Sequence, residues 1–556
     1  MTAQTTDVLV IGSGFGGSIP AYHLAAGGAR VTVLERGPRL ESEDFAQSTQ
    51  LGTYNRIVDV IRGEGMSVVA GNCVGGGSVV YFAASLRAPS FAFERHGSVG
   101  RRLWPGRITR AGLDPWYDRV EESIPVARTG WSDVSYAGGV FAAACARAGR
   151  TCNPVPVAVD TQRCTNCNWM LSGCVFDAKR SMLTNYLPAA EAHGATVQPL
   201  HEVQIIRPSL QSGYRYAVTY TVLDPDDYTV PQGTGTIHAK VVVLAAGAVG
   251  TPVILQRSAA ALGGMPKAVG RHFSGNGDRV SVAEVNEDKV RSLLGLDRPG
   301  GEAYAALHIG RPITAASYDR LRAEDEEFTR FTLQQIYFPT ITNVLARTAD
   351  DGPGWYGVAK RRMRKNWRSW LTLLAMTEDD NEGTFGPVPV TGSFTRLAQG
   401  LGLGSLFFRA TDRTRRGWRE SDAELRSILE KDGLARVQPW TEDVAGAVTA
   451  HPLGSARIGD DPAISALDDL HELRGHRGLF VTDGSSVPAS LTVNPSLTIA
   501  ALAERAVPGI VARAADSGVD VRYGAPAPDG STAGRKETAA QARRLAARAQ
   551  RAGTKG

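Results

Sequence analysis

The pattern of apolar positions predicts a parallel β-sheet whose strands come from distant parts of the chain. Short apolar runs at residues 7–11 (DVLVI), 31–34 (VTVL) and 241–244 (VVVL) have the length and the β-branched content of strands buried on both faces. A fourth run, 479–483 (LFVTD), ends in a carboxylate, and an apolar helical pattern begins at about Pro495. Strands that alternate with helical segments favour the α/β class.

The first predicted strand leads into a glycine-rich turn of the kind that binds dinucleotides. Gly12, Gly14 and Gly17 form a G-x-G-x-x-G pattern between this strand and a predicted helix. The first glycine allows the tight turn, the second lets the backbone approach a pyrophosphate, and the third lets the helix pack closely on the sheet. Glu35, at the end of the second strand, is placed to accept hydrogen bonds from ribose hydroxyls. The segment therefore predicts a dinucleotide site at a helix N-terminus.

Further segments favour FAD over NAD. Residues 71–82 (GNCVGGGSVVYF) are too rich in glycine for a strand interior, so this backbone must lie against a flat or anionic group. Asp483 closes the last predicted strand, where its carboxylate can bond a ribose or ribityl hydroxyl. The helix that follows Asn494 and Pro495 can direct its positive end at the pyrimidine end of a flavin. Nucleotide-binding pieces at both chain ends enclose a long middle, whereas an NAD domain is usually contiguous.

Length and composition fit an enzyme with two domains. A chain of 556 residues exceeds one hydrophobic core, so two interleaved domains are expected. The net charge of +5 comes from dispersed basic residues and does not favour a nucleic-acid partner. No window reaches the ~18 apolar residues that would span a bilayer. Only six mostly polar residues precede the first strand, so we expect no signal peptide and a cytoplasmic protein.

Four motifs, taken in chain order, resemble the glucose–methanol–choline (GMC) oxidoreductase family, and within it the cholesterol oxidase-like branch. They are GSGFGG with its downstream glutamate, VGGGSVVYF, AAGAVGTP, and AHPLGSARIG together with FVTDGSSVPASLTVNPSLTIAALAER. The resemblance implies a Rossmann-like FAD-binding domain formed by residues 1–87, 200–274 and 446–520. It also implies an inserted α+β substrate-binding domain on an antiparallel sheet, formed by residues 88–199 and 275–445.

The resemblance also implies which residues bind FAD. Together with the motif arguments above, it assigns the cofactor site to Gly12, Gly14, Phe15, Gly17, Glu35, Gly71, Gly76, Gly77, Ser78, Val203, Gly247, Asp483, Gly484, Asn494 and Pro495. In the family, the residue that matches Val203 contacts adenine through its backbone. Some members link FAD covalently through a histidine just after the second glycine-rich segment. Here Val80 and Tyr81 stand in that stretch, so we expect non-covalent FAD.

His451 and Asn494 are the predicted catalytic residues. Removing a hydride from a carbinol carbon requires the hydroxyl proton to be taken or strongly polarised, and histidine titrates near neutrality. In the family, the residues that match His451 and Asn494 face the substrate hydroxyl beside flavin N5. The resemblance therefore implies that His451 is the acid/base and that Asn494 orients the alcohol. An isolated histidine is more often a loop residue, but the HPLG context favours the functional interpretation.

One departure from the family concerns steroid isomerisation. Cholesterol oxidases carry a glutamate in the substrate domain that moves a proton when the steroid double bond shifts. The segment aligned with it reads LQQIYFPT, with Gln334 and Gln335, and an amide cannot be a general base. We expect no isomerisation unless Glu378 or Glu382 has taken over that role.

A cysteine-rich segment leaves several interpretations open. Cys152, Cys164, Cys167 and Cys174 lie within 23 residues and include a C-x2-C pair. Four thiolates could bind zinc or an iron–sulfur cluster, but the spacing matches no common zinc site. The cysteines could instead form a local disulfide or pack as free thiols. We favour packed thiols and predict no metal.

Two stretches have no part in the predicted catalysis. Residues 360–370 join basic side chains to Trp367 and Trp370, a pattern compatible with peripheral membrane contact or with a lid. A solvated helix that packs its tryptophans on the core is the interpretation we favour for it. Residues 521–556 contain a linker-like segment and an alanine-rich basic end, and are expected to be a frayed helix or a disordered tail.

The sequence thus predicts an FAD-dependent enzyme that oxidises the CH–OH group of a hindered or apolar alcohol, sterol-like or secondary, to a carbonyl. The motifs do not fix whether O₂ or an electron-acceptor protein takes the electrons. Two different functions also stay open. One is that of a sugar- or glycoside-oxidising GMC enzyme, and the second is that of a non-redox lyase of the same fold that contains FAD.

Overall fold

The computed structural model of this chain contains four β-sheets and ten α-helices within the part of the chain that it describes. The described residues are 4–45, 47, 56–97, 100–295, 307–322, 329–337, 361, 367–386, 406–439, 447–526 and 528.

The largest sheet joins strands from both ends of the chain. It contains β1 (Gln4–Ile11), β2 (Val31–Leu34), β6 (Thr196–Gln198), β7 (His201–Pro208), β8 (Tyr216–Leu223), β9 (Pro231–Leu244) and β20 (Leu479–Val481). The order is β6-β2-β1-β9-β8-β7, and β20 also pairs with β9. Neighbouring strands among β6, β2, β1, β9 and β20 pair in parallel. On the other side of the sheet, β8 pairs antiparallel with both β9 and β7. The predicted parallel strands at 7–11, 31–34, 241–244 and 479–483 all lie in this sheet, which confirms the α/β class.

A six-stranded antiparallel sheet forms the second layer of the molecule. Its strands are β5 (Asn153–Pro154), β11 (Asp278–Val285), β12 (Ala315–Ser317), β13 (Phe331–Ile336), β14 (Trp370–Thr377) and β17 (Ala435–Pro439). They follow the order β17-β11-β14-β13-β12-β5. The antiparallel sheet expected for the inserted domain is therefore present.

Two smaller sheets connect these layers. A three-stranded sheet contains β3 (Val58–Arg62), β4 (Met66–Gly71) and β18 (Ala447–Thr449), and a four-stranded sheet contains β10 (Arg271–Ser274), β15 (Gly383–Phe385), β16 (Leu406–Phe407) and β19 (Leu453–Ser455). The short connection from β18 to β19 carries His451. This histidine therefore lies on a turn that is fixed at both ends by strands.

The helices pack on both of the larger sheets. They are α1 (Phe15–Ala26), α2 (Gly77–Val80), α3 (Ser90–Phe93), α4 (Arg110–Ser123), α5 (Tyr136–Arg147), α6 (Tyr186–Ala192), α7 (Gly247–Ser258), α8 (Glu287–Leu293), α9 (Asp412–Leu429) and α10 (Ser496–Asp516). Helix α10 begins directly after Pro495, where the sequence predicts it. Short 3-10 turns lie at Ser42–Asp44, Trp131–Asp133, Met170–Ser172, Met182–Thr184, Asp319–Arg322, Trp367–Ser369, Lys431–Gly433 and Gly484–Ser486.

Strand β13 has two buried faces with different partners. Phe331 and Leu333 pack in a cluster with apolar side chains of α5 and α9. Because side chains alternate along a strand, Thr332 and Gln334 point to the opposite face. There the Thr332 hydroxyl donates to the carbonyl oxygen of Thr492, 2.7 Å away. The strand thus presents polar side chains to the segment that precedes α10.

The structure corrects one expectation for the basic stretch at 360–370, of which it describes residues 361 and 367–370. Trp370 is the first residue of β14 and only 3% exposed, so it lies in a strand and not in the expected helix. All eight residues of β14 are buried, so the strand buries this tryptophan as a helix packed on the core would have done. In the predicted tail, the described residues 521–526 and 528 form no helix or strand, and the hydroxyl of Tyr22 donates to the Pro526 carbonyl at 2.9 Å.

Candidate active site

The glycine-rich turn between β1 and α1 forms an open cradle. Gly12 has a φ of +94°, and a Cβ atom there would lie 2.2 Å from the carbonyl oxygen of Ala245, the residue after β9. A Cβ atom on Gly17 would lie 2.0 Å from the Gly12 carbonyl oxygen. Gly14, the residue before α1, differs, because a Cβ atom there would meet nothing within 4 Å. The first and third glycines therefore let the backbone pack, and the second leaves space at the helix N-terminus.

Glu35 is bonded to the backbone of this turn. Its carboxylate accepts hydrogen bonds from the Ser13 N–H at 3.0 Å, the Ser13 hydroxyl at 2.7 Å and the Gly37 N–H at 2.9 Å. The Ser13 Oγ atom in turn accepts from the Gly75 N–H at 2.9 Å. Glu35 thus fixes the shape of the cradle and links it, through Ser13, to the second glycine-rich segment. Ser13 occupies a variable position of the glycine pattern, so nothing in the sequence marks this role.

The second glycine-rich segment packs directly on the first. A Cβ atom on Gly76 would lie 3.0 Å from the Gly14 Cα, and one on Gly71 would lie 2.6 Å from the Gly76 carbonyl carbon. A Cβ atom on Gly77, the first residue of α2, would meet nothing within 4 Å. The Ser78 hydroxyl donates to the Gly75 carbonyl oxygen at 2.6 Å. The predicted residues of both segments therefore border one region.

Asp483 joins two elements of the same region. It follows β20, and its carboxylate accepts hydrogen bonds from the Gly247 N–H and the Ser485 N–H, each at 2.8 Å, and from the Thr251 hydroxyl. Burial raises the pKa of the Asp483 carboxyl. The carboxylate therefore closes the N-terminus of α7, and both of its oxygens already have protein partners. A Cβ atom on Gly247 would meet nothing within 4 Å, so the space beside this helix end is open.

The remaining predicted cofactor residues lie around this region. Phe15 begins α1, and its ring packs edge-to-face on Tyr81 with the centroids 5.5 Å apart. Val203 is a buried residue at an irregularity of β7, the strand that starts beside the backbone of Glu35. A Cβ atom on Gly484 would lie 2.9 Å from the Pro452 carbonyl oxygen. Pro495 is the last residue before α10.

The structure brings the two predicted catalytic residues together. The Nε2 atom of His451 lies 3.3 Å from the Nδ2 atom of Asn494. The His451 side chain is 15% exposed, and Asn494 is 5% exposed. His451 is therefore partly exposed, whereas Asn494 is buried. The fold brings these two residues together although 43 positions of the chain separate them.

Asp278 is a partner of His451 that the sequence did not reveal. Its two carboxylate oxygens lie 2.9 Å and 3.0 Å from the Nδ1 atom of His451, and its side chain is 2% exposed. The carboxylate also accepts from the Thr449 hydroxyl at 2.9 Å and the Ala450 N–H at 3.2 Å. A lone aspartate at the start of a strand, 173 positions from its partner, carries no motif that could have indicated this contact.

The turn that carries Asn494 is fixed from two strands. Asn276, which precedes β11, donates from Nδ2 to the Val493 carbonyl at 3.0 Å and accepts from the Leu491 N–H at 2.7 Å. Thr492 within this turn has a φ of +60°, which is strained for a β-branched residue. Its carbonyl accepts the hydrogen bond from Thr332 described above. The surrounding hydrogen bonds therefore hold Asn494 in place despite local backbone strain.

The two glutamines that replace the expected glutamate have different positions. Gln334 is fully buried, and its Nε2 atom donates to the Oδ1 atom of Asn494 at 2.8 Å. Gln335 points to the other face of β13, where its Oε1 atom accepts from the Thr314 hydroxyl at 3.0 Å and its Nε2 atom donates to the Pro312 carbonyl at 3.2 Å. Gln334, and not Gln335, therefore belongs to the site.

The two carboxylates considered as substitutes for that glutamate have other surroundings. Glu378 is 4% exposed and lies 3.0 Å from Arg413, 3.9 Å from Arg330 and 4.0 Å from Arg95. Glu382 is exposed overall, but partial desolvation of its carboxyl group and the nearby charge of Asp380 raise its pKa. The three arginines compensate the buried charge of Glu378.

The cysteines do not form a single group. All six are free thiols, and the described residues contain no cluster of His, Cys, Asp or Glu that could hold a metal ion. Cys152 packs against Cys145 of α5, and this thiol contact, with burial, raises the pKa of Cys145. Cys152 thus pairs in space with a cysteine that lies outside the cysteine-rich segment. In the described part of the chain, no helix has the length and apolar content needed to cross a membrane.

Comparison with known proteins identifies relatives over nearly the whole chain. Two family models described as GMC oxidoreductase match residues 6–275 and 406–503. A cholesterol oxidase of Mycobacterium tuberculosis is 29% identical over 563 positions, covering 90% of each protein. A long-chain-alcohol oxidase of Arabidopsis thaliana is 24% identical, covering 89% of this chain and 65% of that protein. The crystal structure of a pyridoxine 4-oxidase from Mesorbium loti superposes with a TM-score of 0.59 at 16% identity, covering 91% of this chain and 99% of that one. This last likeness concerns the fold alone.

Proposed function

Because this chain belongs to the GMC oxidoreductase family of enzymes acting on CH–OH donors, we propose that it binds FAD non-covalently and oxidises a hindered or apolar alcohol to a carbonyl compound. The family consists of flavoproteins, and the named relatives include a cholesterol oxidase and a long-chain-alcohol oxidase. Both names describe apolar alcohols, which supports this substrate class for the present chain.

The cradle has the features that FAD requires. The open space at Gly14 and the N-terminus of α1 suit a pyrophosphate, because unpaired N–H groups and the positive helix end favour an anion there. Glu35 borders the same turn, and beyond its bonds to Ser13 and Gly37 its Oε1 atom retains about one lone pair for a ribose hydroxyl. When bound, FAD supplies the acceptor for the hydride that leaves the alcohol carbon.

His451 is the proposed acid/base. A carboxylate only accepts hydrogen bonds, so the contact with Asp278 places the proton of the neutral imidazole on Nδ1. The Nε2 atom then carries a lone pair that can take the hydroxyl proton of the substrate. Asp278 also stabilises the positive charge that develops on the ring, since the two groups are only 2.9 Å apart. This Asp278–His451 pair is the observation that carries the mechanism.

Asn494 is proposed to orient the alcohol. Its amide nitrogen faces Nε2 of His451 at 3.3 Å, so a substrate hydroxyl would replace this contact and receive an N–H of the amide itself. A hydroxyl bound between these groups would donate its proton to His451 and accept a hydrogen bond from Asn494. The base and the orienting group would thus act on the same oxygen atom.

Anaerobic mixing of the holoenzyme with candidate alcohols tests the proposed function. We expect sterols or long-chain secondary alcohols to bleach the flavin absorbance, and subsequent exposure to O₂ or to an artificial acceptor identifies the route of reoxidation. Bleaching by glycosides alone would support the sugar-oxidising function instead. Flavin that no alcohol reduces, in a protein that cleaves cyanohydrins, would establish the lyase.

The product from a sterol gives a second test. If a 3β-hydroxy-5-ene sterol is accepted, we expect mainly the unconjugated 5-en-3-one, because a double-bond shift needs a carboxylate to carry the proton from C4 to C6. Gln334 stands beside Asn494 and cannot bind and release a proton near neutral pH. The product is identified by chromatography at early time points. Prompt conjugated-enone absorbance that is lost in Glu378→Gln or Glu382→Gln would contradict this expectation.

A further inference from the structure

A row of hydrogen bonds links the predicted base, His451, to two strands of the six-stranded sheet. It begins at Asp278 on β11, passes through His451 and Asn494, and ends at Gln334 on β13. Gln334 is fully buried and its amide nitrogen donates to the Asn494 carbonyl oxygen at 2.8 Å. Because Gln334 is buried away from solvent, water cannot replace its hydrogen bond to Asn494.

The direction of each bond in the row follows from the carboxylate. Asp278 only accepts, so neutral His451 carries its proton on Nδ1, and its unprotonated Nε2 atom can only accept a hydrogen bond. Asn494 consequently turns its NH₂ group to Nε2 and its carbonyl oxygen to the opposite side. That oxygen needs a donor, and the NH₂ group of Gln334 provides it.

We propose, on the basis of the function proposed above, that Gln334 is a positioning residue that holds His451 in the neutral form that accepts a proton. Protonated His451 would carry a proton on Nε2, so Asn494 would have to turn its carbonyl oxygen toward the ring. The NH₂ groups of Asn494 and Gln334 would then face each other. Turning the Gln334 amide as well would move its NH₂ group to the buried side where, among the described residues, Oε1 now has no hydrogen-bond partner. Both N–H donors would then be unpaired, which is costly.

Gln334 acts in this proposal through its orientation and not through charge. Asp278 from β11 is the charged group bonded to the imidazole, whereas Thr449 from β18, Asn494 before α10 and Gln334 from β13 are neutral. A methionine at position 334 removes the donor, so Asn494 can turn freely when the ring is protonated. A glutamate there accepts when ionised and can accept or donate when protonated, so neither form penalises the imidazolium.

The test is a pH titration of the Cε1–H signal of His451 in holoenzyme labelled with ¹³C-histidine, the signal being assigned by its absence from His451→Gln. We expect the titration midpoint to rise by about half to one pH unit in Gln334→Met, the size of one lost hydrogen bond, and by at least as much in Gln334→Glu. Gln335→Met is the matched control, because Gln335 is equally buried on the same strand but bonds to Thr314 and Pro312. Its midpoint should equal that of the wild type.

Superimposable titrations of the wild type and the Gln334 variants would overturn the proposal. Neutron diffraction from wild-type crystals, which needs no variant to fold, would also overturn it if the NH₂ group of Asn494 faced Gln334. The acid limb of the flavin-reduction rate should move with the titration midpoint. If the midpoint moves and the acid limb does not, His451 is not the base, whereas the positioning effect of Gln334 stands.

Discussion

The cofactor cradle and the catalytic row are built in opposite ways. The core of the cradle comes from residues 12–37, and backbone atoms provide most of its shape, through the glycines and the N–H groups that bond to Glu35. The catalytic row consists of side chains from residues 278, 334, 451 and 494, which four separate segments bring together. A turn shaped by its own backbone can be recognised from a short stretch of sequence, whereas a row of side chains depends on how distant strands pack.

This difference has a functional consequence. Changes in the cradle should alter how tightly FAD is retained, because in the proposed function the cradle binds the cofactor and does not contact the substrate hydroxyl. Changes in the row should alter the rate of flavin reduction in enzyme that remains loaded with FAD. Substitutions in the two regions should therefore have separable effects.

The largest effect is expected from His451→Ala. Removing the base should lower the rate of flavin reduction by roughly 10²–10⁴-fold, the usual contribution of a general acid–base group. The fold and the bound flavin should be unchanged, because the ring is partly exposed and contacts no cradle residue described above. Stopped-flow reduction under anaerobic conditions measures the rate. Full wild-type reduction by His451→Ala would end the catalytic assignment.

Asp278→Asn should give the next largest loss. An asparagine amide can donate to Nδ1 and so favour the tautomer whose proton is on Nε2, and the lone pair that the substrate needs is then occupied. We expect the rate of flavin reduction to fall by about 10–10³-fold, a loss of the kind seen when a histidine is held in the wrong tautomer. Flavin content and reduction rate are both measured.

Asp422→Asn is the matched control for this variant. Asp422 is also a buried aspartate beside β11, but it bonds to Arg279 and Ser281 instead of a histidine. Both substitutions should lower the thermal midpoint. An equal fall in the reduction rate of the two variants would mean that Asp278 acts through stability alone.

The sequence predicted the glycine-rich cradle, and it named two of the four residues in the proposed row of hydrogen bonds from Asp278 to Gln334. Apolar runs and glycine spacing located β1, β2, β9 and β20, because each run is buried in one sheet and because Gly12 and Gly17 lie where a Cβ atom would meet backbone oxygen. His451 and Asn494 were found through motifs that the family shares. These signals reside within short segments, so they can be read before any fold is known.

The other half of the row could not be predicted. Asp278 has no motif, and its role arises only because β11 passes beside the turn between β18 and β19. Gln334 and Gln335 could not be distinguished either, since their difference depends on which face of β13 is turned to Asn494. A one-residue shift in the register of that strand would exchange them. Register is a tertiary property and leaves no mark in a pair of identical residues.

Glu35 tests the other side of the comparison. Glu35→Arg should weaken FAD binding by about tenfold or more, because a buried cation would replace a carboxylate that accepts three hydrogen bonds. Glu35→Gln should do less harm, since one amide oxygen still accepts. Fluorescence titration of the apoprotein with FAD measures both. Unchanged FAD retention in Glu35→Arg would show that the carboxylate is not part of the cofactor site. A lowered rate of flavin reduction in Glu35→Gln that is fully loaded with FAD would show that the cradle and the row do not have separable effects.

Lys179 offers the finest test of the cradle, because its ammonium group is buried beneath the second glycine-rich segment. Its Nζ atom donates to the carbonyl oxygens of Val79, of Tyr81 at 3.2 Å and of Met170 at 2.6 Å. Burial lowers the pKa of Lys179 to about 8. The side chain therefore ties α2 to the cysteine-rich segment while it carries a charge that burial disfavours.

The sign of the resulting pH effect follows from proton counting. In the unfolded chain a lysine titrates near ~10.4, so between about pH 8 and about pH 10 the unfolded chain binds more protons than the folded one, and the stability that Lys179 contributes rises with pH. Lys179→Met should lower the thermal midpoint at every pH, since it leaves three buried carbonyls unpaired. The gap between wild type and Lys179→Met should widen by a few degrees across this window. Arg180→Met, the control, should show a constant gap because arginine does not titrate there. If the difference in thermal midpoint narrowed with rising pH, the hydrogen bonds to the three carbonyls would favour the protonated amine more than burial disfavours it.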